Sequence, residues 1–132
     1  MRYKRTKTIY LALALGFTGA SVAAAEVKCT DIKWSDIPPE IRGEISKTTG
    51  GDVSPQGGPF NPTDVISDST PRARFFGACH IEGQWTIAIE RGGRGHFLQV
   101  FKFLGGVRSD EWTNSMPSGG FTSKSLEPRN ER

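Results

Sequence analysis

The hydrophobic pattern is clearest in the second half of the chain, where three apolar runs alternate with short polar segments. Runs of this length, joined by glycine-containing turns, predict an antiparallel β-meander. The third run is apolar on both faces, so we expect other parts of the chain to cover both faces of the sheet. The runs are residues 73–81, 84–90 and 96–104, separated by Glu82-Gly83 and by 91–95 (Arg-Gly-Gly-Arg-Gly).

The register of the first hairpin has two alternatives. A two-residue turn at Glu82-Gly83 places Phe76 and His80 on the same face as Trp85. A three-residue turn places Cys79 and Ile81 there instead, because a shift of one residue moves every side chain to the opposite face. The pattern does not decide between these registers.

An amphipathic helix is predicted before the sheet. Ile37, Ile41 and Ile45 recur every four residues and form one apolar stripe. Ser35 and Asp36 precede the stripe as capping residues, and Gly50-Gly51 follow it as a stop signal. Together with residues 107–113 as a further strand, the pattern predicts an α+β fold. We expect this one N-terminal helix to pack on a small antiparallel β-meander sheet of three to five strands.

Two segments carry little periodicity. Residues 48–71 contain four Gly and four Pro, and a loop of this length is usually functional or disordered. We expect this loop to cover part of the second sheet face. Residues 114–132 hold few large apolar side chains, so we predict a flexible C-terminal tail after a single domain of residues 26–113.

The N-terminus has the pattern of a secretory signal peptide, which we place at residues 1–25. Basic residues are followed by an apolar stretch and by Ala23-Ala24-Ala25. Removing this segment lowers Lys+Arg from 17 to 13 against 14 acidic residues, so the formal charge changes from +3 to −1. This removes the compositional argument for nucleic-acid binding. No second apolar run is long enough for a transmembrane segment in the mature form.

Two cysteines, Cys29 and Cys79, remain after export into an oxidising compartment. An even count in a small exported chain predicts one disulfide between them. Closing a loop of this length contributes about 4 kcal/mol in the chain-entropy description.

The chain is poor in catalytic motifs. His80 and Glu82 share a strand face, and with His96 they are the only grouping that suggests a metal ligand set or an acid–base pair. In a meander His80 and His96 lie near opposite ends of the middle strand, roughly 20 Å apart. We therefore predict no catalytic residues, no metal site and no cofactor.

Arginines near the second turn suggest another kind of chemistry. Arg91 and Arg94 flank exposed glycine amides, and together they could bind an anion or an acidic partner. Arg72 and Arg74 could extend this basic patch. The simpler interpretations are a flexible, soluble hairpin loop for the first pair and protection of a sheet edge for the second.

These features favour a small exported, periplasmic or secreted, non-enzymatic binding protein. The expected partner is a protein outside the cytoplasm, and the chain would act as an inhibitor or immunity-type partner. Two alternatives stay open: a small wall- or sugar-directed hydrolase, which needs two carboxylates in one concave site, and an accessory component of a cell-envelope assembly. The oligomeric state is left open.

Export predicts a defined mature N-terminus. We expect the secreted product of the full reading frame to begin at Glu26, because cleavage follows the small residues at positions 23–25. N-terminal sequencing of protein from the extracytoplasmic fraction checks this. A product that retains Met1 in that fraction would contradict the prediction.

Overall fold

The computed structural model describes residues 28–65 and 68–129; the predicted signal peptide and Ile66 lie outside these ranges. Within them the chain is an α+β protein, and none of its helices is long and apolar enough to span a membrane. The elements are helix α1 Pro39–Thr49, strands β1 Val53–Ser54, β2 Ala73–Ile81, β3 Gln84–Arg91, β4 Phe97–Leu104 and β5 Val107–Ser115, and 3-10 helices at Trp34–Asp36 and Ser123–Leu126.

The five strands form one sheet in the order β1-β2-β3-β4-β5. Strands β2 to β5 are antiparallel neighbours, as the apolar runs predict. The prediction of a purely antiparallel sheet is wrong at its edge, because β1 runs parallel to β2 and pairs Val53 with Ala73. A parallel pair needs a long connection between its strands, and the proline- and glycine-rich segment after β1 supplies one.

The first hairpin adopts the register with a two-residue turn. His80 pairs with Trp85 across β2 and β3, and Glu82 and Gly83 have φ values of 39° and 76°. Positive φ at both turn residues matches the right-handed twist of the strands. A bulge between Phe75 and Gly77 then shifts the register, so Phe75 takes the Trp85 face and Phe76 the opposite one. The expected position of Phe76 in this register is therefore wrong, because the alternation does not allow for a bulge.

Helix α1 and the sheet share one buried cluster. Ile41 and Ile45 of the helix, with Ile37 in the extended backbone just before it, are almost fully buried together with sheet residues such as Ile87 and Phe101. Each such side chain contributes roughly 1.5–3 kcal/mol when it leaves water. The helix ends at Thr49 because Gly50 adopts a left-handed conformation and donates its N–H to the carbonyl of Ser46 at 3.0 Å.

The C-terminal segment covers the other sheet face. Leu126 is buried there with Leu98 and Val100, and the ring of Phe121 packs on the backbone of Gly77. The side chain of Asn114 donates to the carbonyls of Ser125 and Glu127 at 3.0 and 2.9 Å. The expected domain boundary at residue 113 falls inside β5. The C-terminal segment covers the second face around Leu98 and Val100, while Gly58 and Phe60 of the 48–71 segment contact Arg74 on another part of the same face.

The predicted disulfide between Cys29 and Cys79 is present. Next to it, Lys28 and His80 exchange two backbone hydrogen bonds of 3.0 and 2.7 Å. The disulfide therefore joins the segment before α1 to the edge of β2 that does not pair with β3.

Strand β5 lies at the end of the sheet opposite β1. Most of its residues are exposed, and Arg108, Asp110 and Glu111 carry charges along it. A second register shift, between Lys102 and Phe103, bends the pairing of β4 with β5. Charges and bulges are typical of edge strands that do not pair further.

Two glycines give a matched test of the packing. A Cβ at Gly43 meets nothing within 4 Å, so this glycine is not a point of close packing, and Gly43→Ala should raise the free energy of unfolding by about 0.5–1 kcal/mol through helix propensity. A Cβ at Gly77 collides with the Phe121 ring, so Gly77→Ala should lower it by about 1–3 kcal/mol. Urea unfolding measures both.

The Phe121→Ala background isolates the cause of the second effect. There Gly77→Ala should cost much less, since the colliding ring is gone. An equal cost in both backgrounds would show that Phe121 does not pack on Gly77.

Candidate functional site

The four arginines suggested by the sequence occupy three different environments. Arg74, in β2, pairs with a carboxylate inside the protein. Arg72 and Arg91 line one cleft. Arg94 lies exposed in the loop between β3 and β4.

Arg74 is fully engaged by internal partners. Its Nε and Nη2 donate to the two carboxylate oxygens of Glu90 at 2.8 and 3.0 Å, and its Nη1 donates to the carbonyl of Gly58 at 3.2 Å. The guanidinium carbon also lies 4.7 Å from the centre of the Phe60 ring. We therefore leave Arg74 out of the binding site that we propose below.

Glu90 is the buried centre of this group, with a side chain only 5% exposed. His96 Nε2 lies 2.6 Å from Glu90 Oε1, and the His96 and Phe60 rings are 5.6 Å apart. A carboxylate beside a histidine can move protons, but this one is also held by a bidentate arginine. Glu90 links Arg74 of β2 and His96 of the loop between β3 and β4 to β3. The alternation along β3 predicts that Glu90 and Trp85 lie on opposite faces of the sheet, but it does not predict the partners of Glu90.

Arg72 and Arg91 come together because of the sheet register. Ala73 pairs with Arg91, so Arg72, which precedes Ala73, lies at the same end of the sheet as Arg91. The two arginines line a cleft of about 410 Å³ beside the C-terminal end of α1, together with Asp52 and Asp68. We call this cavity the arginine cleft. The N–H of Gly92 donates to the carbonyl of Arg72 at 3.0 Å and fixes one wall.

Neither of these guanidinium groups has a carboxylate partner within residues 28–65 and 68–129. Arg91 donates to the side-chain oxygen of Gln99 at 2.6 Å and to the carbonyl of Thr49 at 3.4 Å, both uncharged groups. In the described ranges, the Nε atoms of Arg72 and Arg91 are buried and have no hydrogen-bond partner.

The two positive charges also act on each other. Burial, together with the charge of Arg72, lowers the pKa of Arg91, and Glu111 partly counters this effect. A guanidinium nevertheless stays charged in a protein. Partly burying two like charges without a directly bonded carboxylate costs free energy, and a bound anion would remove part of that cost.

Exposed carboxylates lie beside these cations. Hydrogen bonds from the side chain and backbone N–H of Thr70 lower the pKa of Asp68, so this carboxylate is ionised at neutral pH. With Asp52, the cleft has two acidic groups next to two half-buried arginines. Its charge pattern is mixed rather than uniformly basic.

The two histidines do not form a joint site with Glu82. His80 stacks on Trp85 with ring centres 4.2 Å apart, while Glu82 lies in the exposed turn. His96 contacts Glu90 near the other end of β3. Over the part of the chain that the structure describes, no three His, Cys, Asp or Glu residues are grouped to hold a metal ion.

A second cavity, of about 310 Å³, lies between the sheet and the C-terminal 3-10 helix. Sequence reasoning missed it, because one wall belongs to the segment that we expected to be a flexible tail. We call it the C-terminal cavity. Its lining includes Trp112, Leu126, Lys102, Asp110 and Glu127.

Comparisons with protein-family models, with curated proteins and with solved structures find no match for this chain.

The buried carboxylate gives a stability prediction. Glu90→Gln should lower the free energy of unfolding by about 2–3 kcal/mol, because Arg74 loses its charged partner while remaining largely buried. Thermal or urea unfolding measures the change. The control is Glu82→Gln at an exposed turn position, which should change stability by less than about 0.5 kcal/mol. Equal effects of the two substitutions would contradict the role of Glu90.

Proposed function

We propose that this chain is a small exported, non-enzymatic binding protein that recognises an acidic group on a protein partner through the arginine cleft. The observation that supports this is the pair of half-buried arginines, Arg72 and Arg91, which have no carboxylate partner in the described ranges. Hydrogen bonds between guanidinium and carboxylate groups are among the stronger interactions at protein interfaces.

The mixed charges of the cleft narrow the partner's chemistry. A carboxylate of the partner would lie between Arg72 and Arg91, while a neighbouring basic side chain would face Asp52 or Asp68. A partner surface in which acidic and basic side chains alternate satisfies both requirements, whereas a uniformly acidic surface would be repelled by the two aspartates.

An exported location supports this class of partner. A disulfide in a small chain fits an oxidising compartment, and the N-terminal pattern favours secretion. A scaffold fixed by a crosslink and presenting a cleft between loops suits an inhibitor or an immunity-type protein.

The hydrolase alternative is supported by one observation: Asp110 and Glu127 both line the C-terminal cavity. Both residues are exposed, whereas the general acid of a glycosidase is typically held against apolar groups that favour its protonated form. In the arginine cleft the pKa of Asp68 is lowered, which is the opposite of what a general acid needs. The geometry therefore favours binding over hydrolysis.

Peptide titration tests the proposal. Three short blocked peptides, of alternating Glu and Lys, of Glu alone and of Lys alone, are titrated into the protein and followed by calorimetry or NMR. We expect the alternating peptide to bind most tightly and to weaken as salt rises. Arg72→Gln and Arg91→Gln should each weaken that binding by about tenfold or more.

Arg94→Gln is the matched control, since it removes the same charge from an exposed loop position outside the lining of the cleft. It should change the affinity by less than about threefold. The proposal fails if the cleft variants bind like the parent protein, or if the Arg94 variant loses as much affinity as they do.

A further inference from the structure

The C-terminal cavity has a lining that differs from that of the arginine cleft. Its apolar lining residues include Ile81, Trp112, Leu126 and Cys79 of the disulfide. Its polar residues carry charges of both signs, with Lys102 on β4 and Asp110 and Glu127 nearby. At about 310 Å³ it lies at the lower end of the range for small-ligand sites, which are typically apolar with a few convergent polar groups.

The pairing of β4 with β5 creates this polar arrangement. Lys102 lies opposite Asp110 in the register, yet in the described ranges the two side chains form no ion pair. Thr86 of β3 and Ser123 of the 3-10 helix add hydroxyl groups to the lining. The cavity therefore offers a cation, two anions and neutral donors and acceptors around an apolar base.

Trp112 provides a second, independent observation. Its indole Nε1 is buried and has no hydrogen-bond partner in the described part of the chain. A buried donor without a partner costs about 1–3 kcal/mol, so such an atom calls for a specific explanation. A ligand oxygen that accepts this N–H would remove the cost. Because the atom is shielded from solvent, the lining around it must rearrange for that contact to form.

We infer that the C-terminal cavity binds a small neutral saccharide. A hydroxyl group both donates and accepts, so it can satisfy the carboxylates of Asp110 and Glu127 as well as the ammonium of Lys102. A ligand with a single charge would attract one set of these groups and be repelled by the other. The apolar face of a sugar ring matches the indole of Trp112, which combines a large apolar surface with one polar atom.

This inference is independent of the arginine cleft, which faces a different end of the molecule. Arg72 and Arg91 do not line the C-terminal cavity, and Trp112 does not line the cleft. A failure at one site therefore leaves the proposal for the other unchanged.

Titration with defined probes tests the inference. N,N′-diacetylchitobiose and maltose are the neutral probes, benzylamine is the cationic probe and benzoate the anionic one, each added to the disulfide-bonded protein. We expect at least one disaccharide to bind in the millimolar range or tighter, to change tryptophan fluorescence and to shift the indole N–H resonance of Trp112. Benzylamine and benzoate should bind at least tenfold more weakly.

A pair of serine variants locates the binding. Ser123→Trp places a large side chain at an exposed lining position and should reduce disaccharide affinity at least tenfold. Ser118→Trp makes the same change at an exposed position outside the lining and should leave the affinity unchanged. Circular dichroism confirms that both variants fold.

Three results would overturn the inference. The first is the absence of any response of Trp112 to either disaccharide at high millimolar concentration. The second is equal binding by the Ser123 variant and the parent protein. The third is preferential binding of benzylamine or benzoate, which would replace the saccharide by a charged ligand class.

Discussion

The register between β2 and β3 determines which side chains meet in the rest of the structure. The two-residue turn at Glu82-Gly83 sets this register at one end of the strands, and the bulge at Phe76 shifts it by one residue near the other end. Between these points Cys79 is directed to the second face of the sheet, where it reaches Cys29. Beyond the bulge, Arg74 lies opposite Glu90 and the chain before Ala73 reaches Arg91. Both the buried ion pair and the arginine cleft follow from this one alignment.

The two faces of the sheet are covered by different means. One face packs against a regular helix whose isoleucines recur every four residues, and this packing is visible in the periodicity. The other face is covered by an irregular segment that uses two large side chains, Phe121 and Leu126, and the backbone acceptors of the 3-10 turn. A glycine in β2 makes room for one of these rings. Both covers exclude water from the sheet, and the irregular one also forms a wall of the C-terminal cavity.

The sequence predicted most of the regular structure and little of the site geometry. The strand at residues 73–81 and the disulfide follow from alternation, turn chemistry and cysteine parity, which are local or compositional signals. The parallel strand β1 has only two residues and no periodicity that a pattern could detect. The packing of the C-terminal segment on the sheet was missed, because Phe121 contacts the backbone of Gly77, which is distant in the sequence and leaves no local pattern. The sequence pointed to Arg72, Arg74 and Arg91 as candidate binding residues. It could not show that Arg74 pairs with Glu90 while the other two line a cleft, because this depends on the strand register.

Strand β5 is an exposed edge of the sheet, since among the described residues it pairs with β4 alone. Its neighbour β4 pairs with one row of its backbone groups, and the bulge and the charges of Arg108, Asp110 and Glu111 make the other row a poor template for a further strand. A copy of the chain that approached this row would have to desolvate those charges and match a bent strand. The charges and the bulge therefore oppose the pairing of β5 with a strand of another molecule.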